Sequence, residues 1–170
     1  NKLNNKELLL CLLTLQPPLR TSFYYSAKII RQEKDNNKED NYILLNYRHK
    51  KAYYIVNSDK VSNSKEYSNY KNSKIQIHNK ELVKALLNKY KENPSIYIFG
   101  DTKKTNISIL RWLEDITKIK GLNIDNMRSI YITWFYNKKI THEEKRKLAL
   151  SMRHSILTLS LIHISEPTRR

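Results

Sequence analysis

The sequence predicts a mainly α-helical domain carrying a small antiparallel β-sheet. Three observations predict it. Apolar stripes at helical spacing recur from Leu82 to Trp134. Two runs rich in aromatic and β-branched residues, YILLNY at 42–47 and AYYIV at 52–56, flank Arg48-His49-Lys50-Lys51 and read as a β-hairpin. A chain of 170 residues is the size of one domain and long enough to bury one core.

The elements follow in order. Lys6 to Leu15 is a near-continuous apolar stretch, most simply a buried helix, which Pro17-Pro18 stops. A second short helix is expected from Arg20 to about Ile30, then a polar, charged loop over 31–41. After the hairpin comes SDKVSNSKEYSNYKNS, which is polar throughout. Lys74 to His78 alternates as a third strand would. Asn79 caps a helix with Leu82, Val83, Leu86, Leu87 and Tyr90 on one face, and Asn93-Pro94 ends it. Ser95 to Phe99 is a brief extended piece closed by Gly100. Ile107, Leu110, Leu113 and Ile116 stripe another helix, which Gly121 breaks. Met127, Ile130, Tyr131 and Trp134 stripe the next. Thr141 with Glu144 three residues on is a capping box for the last. A sheet of about three short strands is too small to be the core.

Lys plus Arg outnumber Asp plus Glu by 32 to 16, a formal charge of +16. That balance favours a polyanionic partner, nucleic acid before an anionic membrane surface. Lys, Asn, Ile and Tyr also share AT-rich codons, so compositional bias is an alternative source of the excess. Cys11, the single cysteine, lies in an apolar run and reads as a core residue in a reducing compartment. The run Leu8–Leu15 is shorter than the roughly 20 apolar residues that span a bilayer. No signal peptide is visible. These features together point to an intracellular, non-membrane protein.

Metal chemistry finds little support. His49, His78, His142, His154 and His163 have no Cys or His partner at ligand spacing, and Asp35, Glu39 and Asp40 sit in a charged loop. Four other residues stand where packing alone would not ask for them. Arg20 follows Pro-Pro-Leu directly, Lys60 follows the second hairpin strand, Arg128 opens an apolar-striped helix on its first turn, and His154 follows a helix end. Each taken singly has a plain reading: an exposed helix-start arginine, a surface arginine, a polar cap, one lysine among many.

Their order carries more. TLQPPLRTSFYYSAKI, the hairpin with SDKVSN, IDNMRSIYITWF and MRHS together resemble the catalytic domain of tyrosine recombinases, in the variant form of large DNA viruses and mobile elements. The resemblance covers nearly all of residues 5–158. It implies a mainly helical catalytic domain that breaks and rejoins double-stranded DNA through a 3′-phosphotyrosine link, needs no metal or other cofactor, and works as a multimer on DNA when full-length. In that family fixed cations meet charge growing on the non-bridging phosphate oxygens. By resemblance Arg20 and Arg128 clamp the phosphate, Lys60 protonates the leaving 5′-oxygen and His154 holds a non-bridging oxygen. Lys65 and Lys71 are rivals for the hairpin lysine, and Lys65, Lys71 and Arg153 are candidate DNA contacts.

Three positions depart from the family pattern. Asp125 stands where the family has a histidine, either accepting the nucleophile's proton or merely capping its helix. Arg153 replaces the usual glycine. His163 occupies the expected place of the nucleophilic tyrosine, and the last tyrosine is Tyr136. Leu159 to Arg169, LSLIHISEPTR, resembles the translation of a transposon-end sequencing adapter. Residues 1–158 are therefore expected to be one recombinase-like domain, incomplete at both ends, and 159–170 a foreign tail. This polypeptide should then bind DNA without cleaving it, for want of the nucleophile. The competing class is a non-catalytic, basic helical DNA-binding module. The two separate on geometry: the first gathers Arg20, Arg128 and His154 into one cleft, and the second scatters them.

Overall fold

The computed structural model describes residues 3–58, 73–138 and 140–153. Helix α1 (Asn5–Thr14) opens on a capping box. The Asn4 side chain accepts from the Glu7 N–H, and the Glu7 carboxylate accepts from the Asn4 N–H, both at 2.9 Å. With its polar first turn settled, the helix buries Leu8, Leu9, Leu12 and Leu13 at the centre of the main core. Cys11 packs at the edge of that core, and burial pushes its thiol pKa up.

Helix α2 (Thr21–Ser26) is shorter than expected. Ala27 is already extended, and Lys28–Ile30 forms a strand, β1, rather than a helix end. Two adjacent β-branched residues, Ile29 and Ile30, favour that outcome. The strand is held on both sides: the Lys28 N–H donates to the Asn41 carbonyl and the Ile29 N–H to the Ile96 carbonyl, each at 2.9 Å.

The sheet has four strands, not three, in the order β1-β2-β3-β4. β1 runs parallel to β2 (Tyr42–Asn46), so the sheet is mixed. The hairpin forms as expected: β2 pairs antiparallel with β3 (Lys51–Val56), from Tyr42 opposite Ile55 to Asn46 opposite Lys51. β4 (Ser73–Gln76) completes it, antiparallel to β3. The sheet is also a wall of the core, contrary to the sequence expectation. Ile43, Leu45, Ala52, Tyr54 and Val56 join α1 in the main cluster, while Ile30, Tyr42, Leu44 and Ile55 make a small second cluster. A short sheet suffices because alternation gives each face its own apolar set.

Helix α3 (Lys80–Glu92) matches its prediction: Asn79 caps it and all five stripe residues are buried. Helices α4 (Asn106–Thr117) and α5 (Ile124–Tyr136) exist as expected but present other faces. On α4, Ile109 and Leu113 are buried and Ile107 is 61% exposed. A strict i, i+3 series winds around a helix of 3.6 residues per turn, so the inward face follows i, i+4 instead. On α5, Ile124, Met127, Arg128 and Ile132 face inward, while Ile130 and Trp134 are 56% and 51% exposed. The α5 N-cap is Asn123, in a reciprocal pair with Asn126, so Asp125 is not the cap and Arg128 lies beyond the first turn. Helix α6 (His142–Met152) opens on the predicted Thr141–Glu144 capping box. It packs on α5 through Leu148, Ala149 and Met152 against Ile132. No described helix is long and apolar enough to cross a membrane.

Candidate phosphate-binding site

The N-terminus of α2, the open end of the β2–β3 hairpin and the C-terminus of α6 meet at one small pocket. Arg20, Ser22, Asn41, Ser58 and Arg153 are among its lining residues. Each arrives for a local reason. Arg20 is the N-cap residue of α2, and its extended backbone follows the Pro17-Pro18 stop. The preceding Leu19 N–H donates to the Tyr24 hydroxyl at 2.8 Å, which folds the segment back onto the helix it precedes. The Arg20 Nε is buried and makes no hydrogen bond among the described residues.

The hairpin side is held by asparagines. The buried Asn41 accepts from the Asn57 and Ser58 backbone N–H groups at 2.9 and 3.0 Å, and donates to the Ser58 carbonyl at 2.9 Å. Asn57 in turn donates to the Asp40 carbonyl and the Asn36 side chain, each at 2.6 Å. The chain therefore leaves β3 on a fixed course beside Arg20. Asp40 also pairs with Lys28, and that hydrogen bond above all holds its carboxyl below the usual carboxylate range.

The third wall is the end of α6. Arg153 is its C-cap, 2% exposed, with a left-handed backbone at φ +56°. Its N–H donates to the Leu150 carbonyl at 3.1 Å. Arg128, also 2% exposed, reaches across from α5 and donates through Nη2 to the Met152 carbonyl at 3.0 Å. Its charge acts on Tyr24 too. Burial drives the Tyr24 phenol pKa far up, and the Leu19 hydrogen bond and then Arg128 draw it part of the way back. Arg128 thus stands between the residue next to Arg153 and the phenol that positions the residue next to Arg20. Among the described residues lining the pocket there is no carboxylate.

Three arginines distant in sequence are therefore brought to one junction. Asp125 is not: it sits exposed in the first turn of α5, and its backbone carbonyl accepts from the Ser129 hydroxyl. The direct clamp expected of Arg128 is modified, because Arg153 rather than Arg128 lines the pocket beside Arg20. Arg153 is buried, not a surface contact. Lys60, Lys65, Lys71, His154 and the tail from Leu159 lie outside the described residues. Sequence reading missed Asn41 and Asn57, whose only signal is an asparagine at each end of the hairpin. A wider cleft between β4 and α6 is mostly apolar, with Ile75, Phe135 and Leu148 on its walls. Its cation Lys147 pairs with Glu143, so that cleft offers less to an anion. No group of His, Cys, Asp and Glu suited to a metal ion occurs among the described residues.

A scan against protein-family models and searches of curated proteins and of solved structures found no match.

Proposed function

We propose that this chain is a DNA-binding domain of tyrosine-recombinase type, whose arginine pocket receives one backbone phosphate for metal-free strand transfer. The observation that carries the reading is the convergence of Arg20, Arg128 and Arg153 on one junction. A scattered set would have left only a positively charged surface. Guanidinium groups suit the task because they keep their charge and offer paired donors to a phosphate. A small dry pocket strengthens each such contact over its worth in water.

Two further features support it. Ser58 and Arg153 line the pocket, and in sequence Lys60 follows the first by two residues and His154 follows the second directly. Lys60 would then protonate the leaving 5′-oxygen, and His154 would hold a non-bridging oxygen. Arg153 adopts the left-handed conformation that glycine takes at least cost, at the position where the resemblance has glycine. Asp125, exposed, is withdrawn as proton acceptor in favour of no named residue. Double-stranded DNA is the proposed partner, with multimers on DNA in the longer protein.

The chain has no tyrosine after Tyr136. The wild-type polypeptide should therefore bind duplex DNA and form no covalent adduct. His163→Tyr, given a nicked duplex, should trap a 3′-phosphotyrosine adduct that Arg20→Ala abolishes. Cleavage by the wild type that depends on added Mg²⁺ and stops with chelator would sink the proposal and favour a metal-dependent nuclease. Duplex binding with no adduct from His163→Tyr would favour the non-catalytic module.

A further inference from the structure

We propose that Arg153 is the second anion-binding guanidinium of the Arg20 pocket, and that the two arginines together hold a single phosphate group. The inference rests on the reading above for the identity of the macromolecule that carries the phosphate. It departs from the resemblance, which offers glycine at this position and assigns the partner of Arg20 to Arg128.

Three observations carry it. Arg20 and Arg153 line the same pocket, and Arg153 is 2% exposed. Two cations turned inward side by side repel each other, and far more strongly in a low dielectric than in water. An anion between them turns that repulsion into attraction, with charge-assisted hydrogen bonds from both sides.

The second observation is the backbone. Arg153 ends α6 at φ +56°, where a residue with a Cβ is strained and Gly or Asn caps best. Capping therefore does not account for an arginine here; a role for its side chain does. The third is its support. The Arg128 Nη2 bond to the Met152 carbonyl fixes the backbone directly ahead of Arg153, so the side chain starts from a held position. Ser22 and Ser58 add hydroxyl-bearing residues to the same lining. The pocket is small, which suits one tetrahedral anion and excludes a base or sugar.

Inorganic phosphate is the probe, titrated calorimetrically into the full chain. The wild type should bind it. Arg153→Met keeps the side chain's bulk without its charge, and should bind about tenfold more weakly. Arg153→Gly should lose affinity to the same degree while its melting temperature holds or rises, since glycine relieves the strained backbone. Arg153→Lys, with charge but no planar fork, should fall between. Wild-type affinity in both Arg153→Met and Arg153→Gly overturns the proposal, as does a wild type that binds no phosphate. The DNA reading fails separately. A chain that binds phosphate through Arg153 but has no affinity for duplex refutes that reading and leaves Arg153 an anion ligand. A chain that binds duplex through Arg20 and is indifferent to Arg153 does the reverse.

Discussion

Tyr24 ties the pocket to the core with one hydroxyl. Its ring is 1% exposed and packs edge-on against Phe23, while its oxygen accepts the Leu19 N–H beside Arg20. Tyr24→Phe removes the acceptor but keeps the ring. A buried N–H left without a partner costs about 1–3 kcal/mol. Urea unfolding should register that loss, and phosphate affinity should fall with it because Arg20 loses its anchor. Arg128 is a comparable case. It is a cation facing inward from an otherwise apolar face, and Arg128→Met should cost about 1.5–3 kcal/mol by orphaning the Met152 carbonyl. The sequence marked Arg20 and Arg128 as unusual, but not their surroundings. Burial of Arg128 was illegible because polarity was used to decide which face of α5 points outward, and the inward face is the one holding the charge. Arg153 was read as a surface contact for the same reason.

At the scale of elements, local chemistry was largely legible and long-range pairing was not. Asn79, Thr141 with Glu144, and the Arg48–Lys51 turn announced their helix starts and hairpin because each acts through neighbours in sequence. β1 could not be announced the same way: three residues become a strand only by pairing with Tyr42–Leu44 and with Ile96, both remote in the chain. Two predictions belong here. Lys118 caps α4 at φ +61°, and Lys118→Gly should stabilise the chain by roughly 0.5–1 kcal/mol, visible as a raised melting temperature. The Lys28–Asp40 pair ties β1 to the loop before β2. The hydrogen bond lowers the Asp40 pKa below 3.8, so its contribution is present above that value and is lost as pH falls through the lowered one. Lys28 is raised above 10.5, so its share is present below that value and is lost as pH climbs through the raised one. The stability gap between wild type and Asp40→Asn should be about 1 kcal/mol and flat near neutrality, closing at both extremes. A gap that widens in acid would contradict the pairing.

For the whole molecule, the charge of +16 and the arginine junction ask different questions. Net charge gives any basic protein attraction to DNA that fades with salt, with a log–log slope of about −0.9 for each phosphate neutralised. Only a built site makes one arginine matter more than its single charge. Duplex affinity across a salt series therefore tests the account most directly, comparing wild type, Arg20→Ala and Lys120→Ala, an exposed charge outside the pocket. The account predicts that Arg20→Ala weakens binding by about ten- to a hundredfold at fixed salt, while Lys120→Ala stays within about twofold. Equal losses from the two variants would contradict it, leaving attraction by net charge alone.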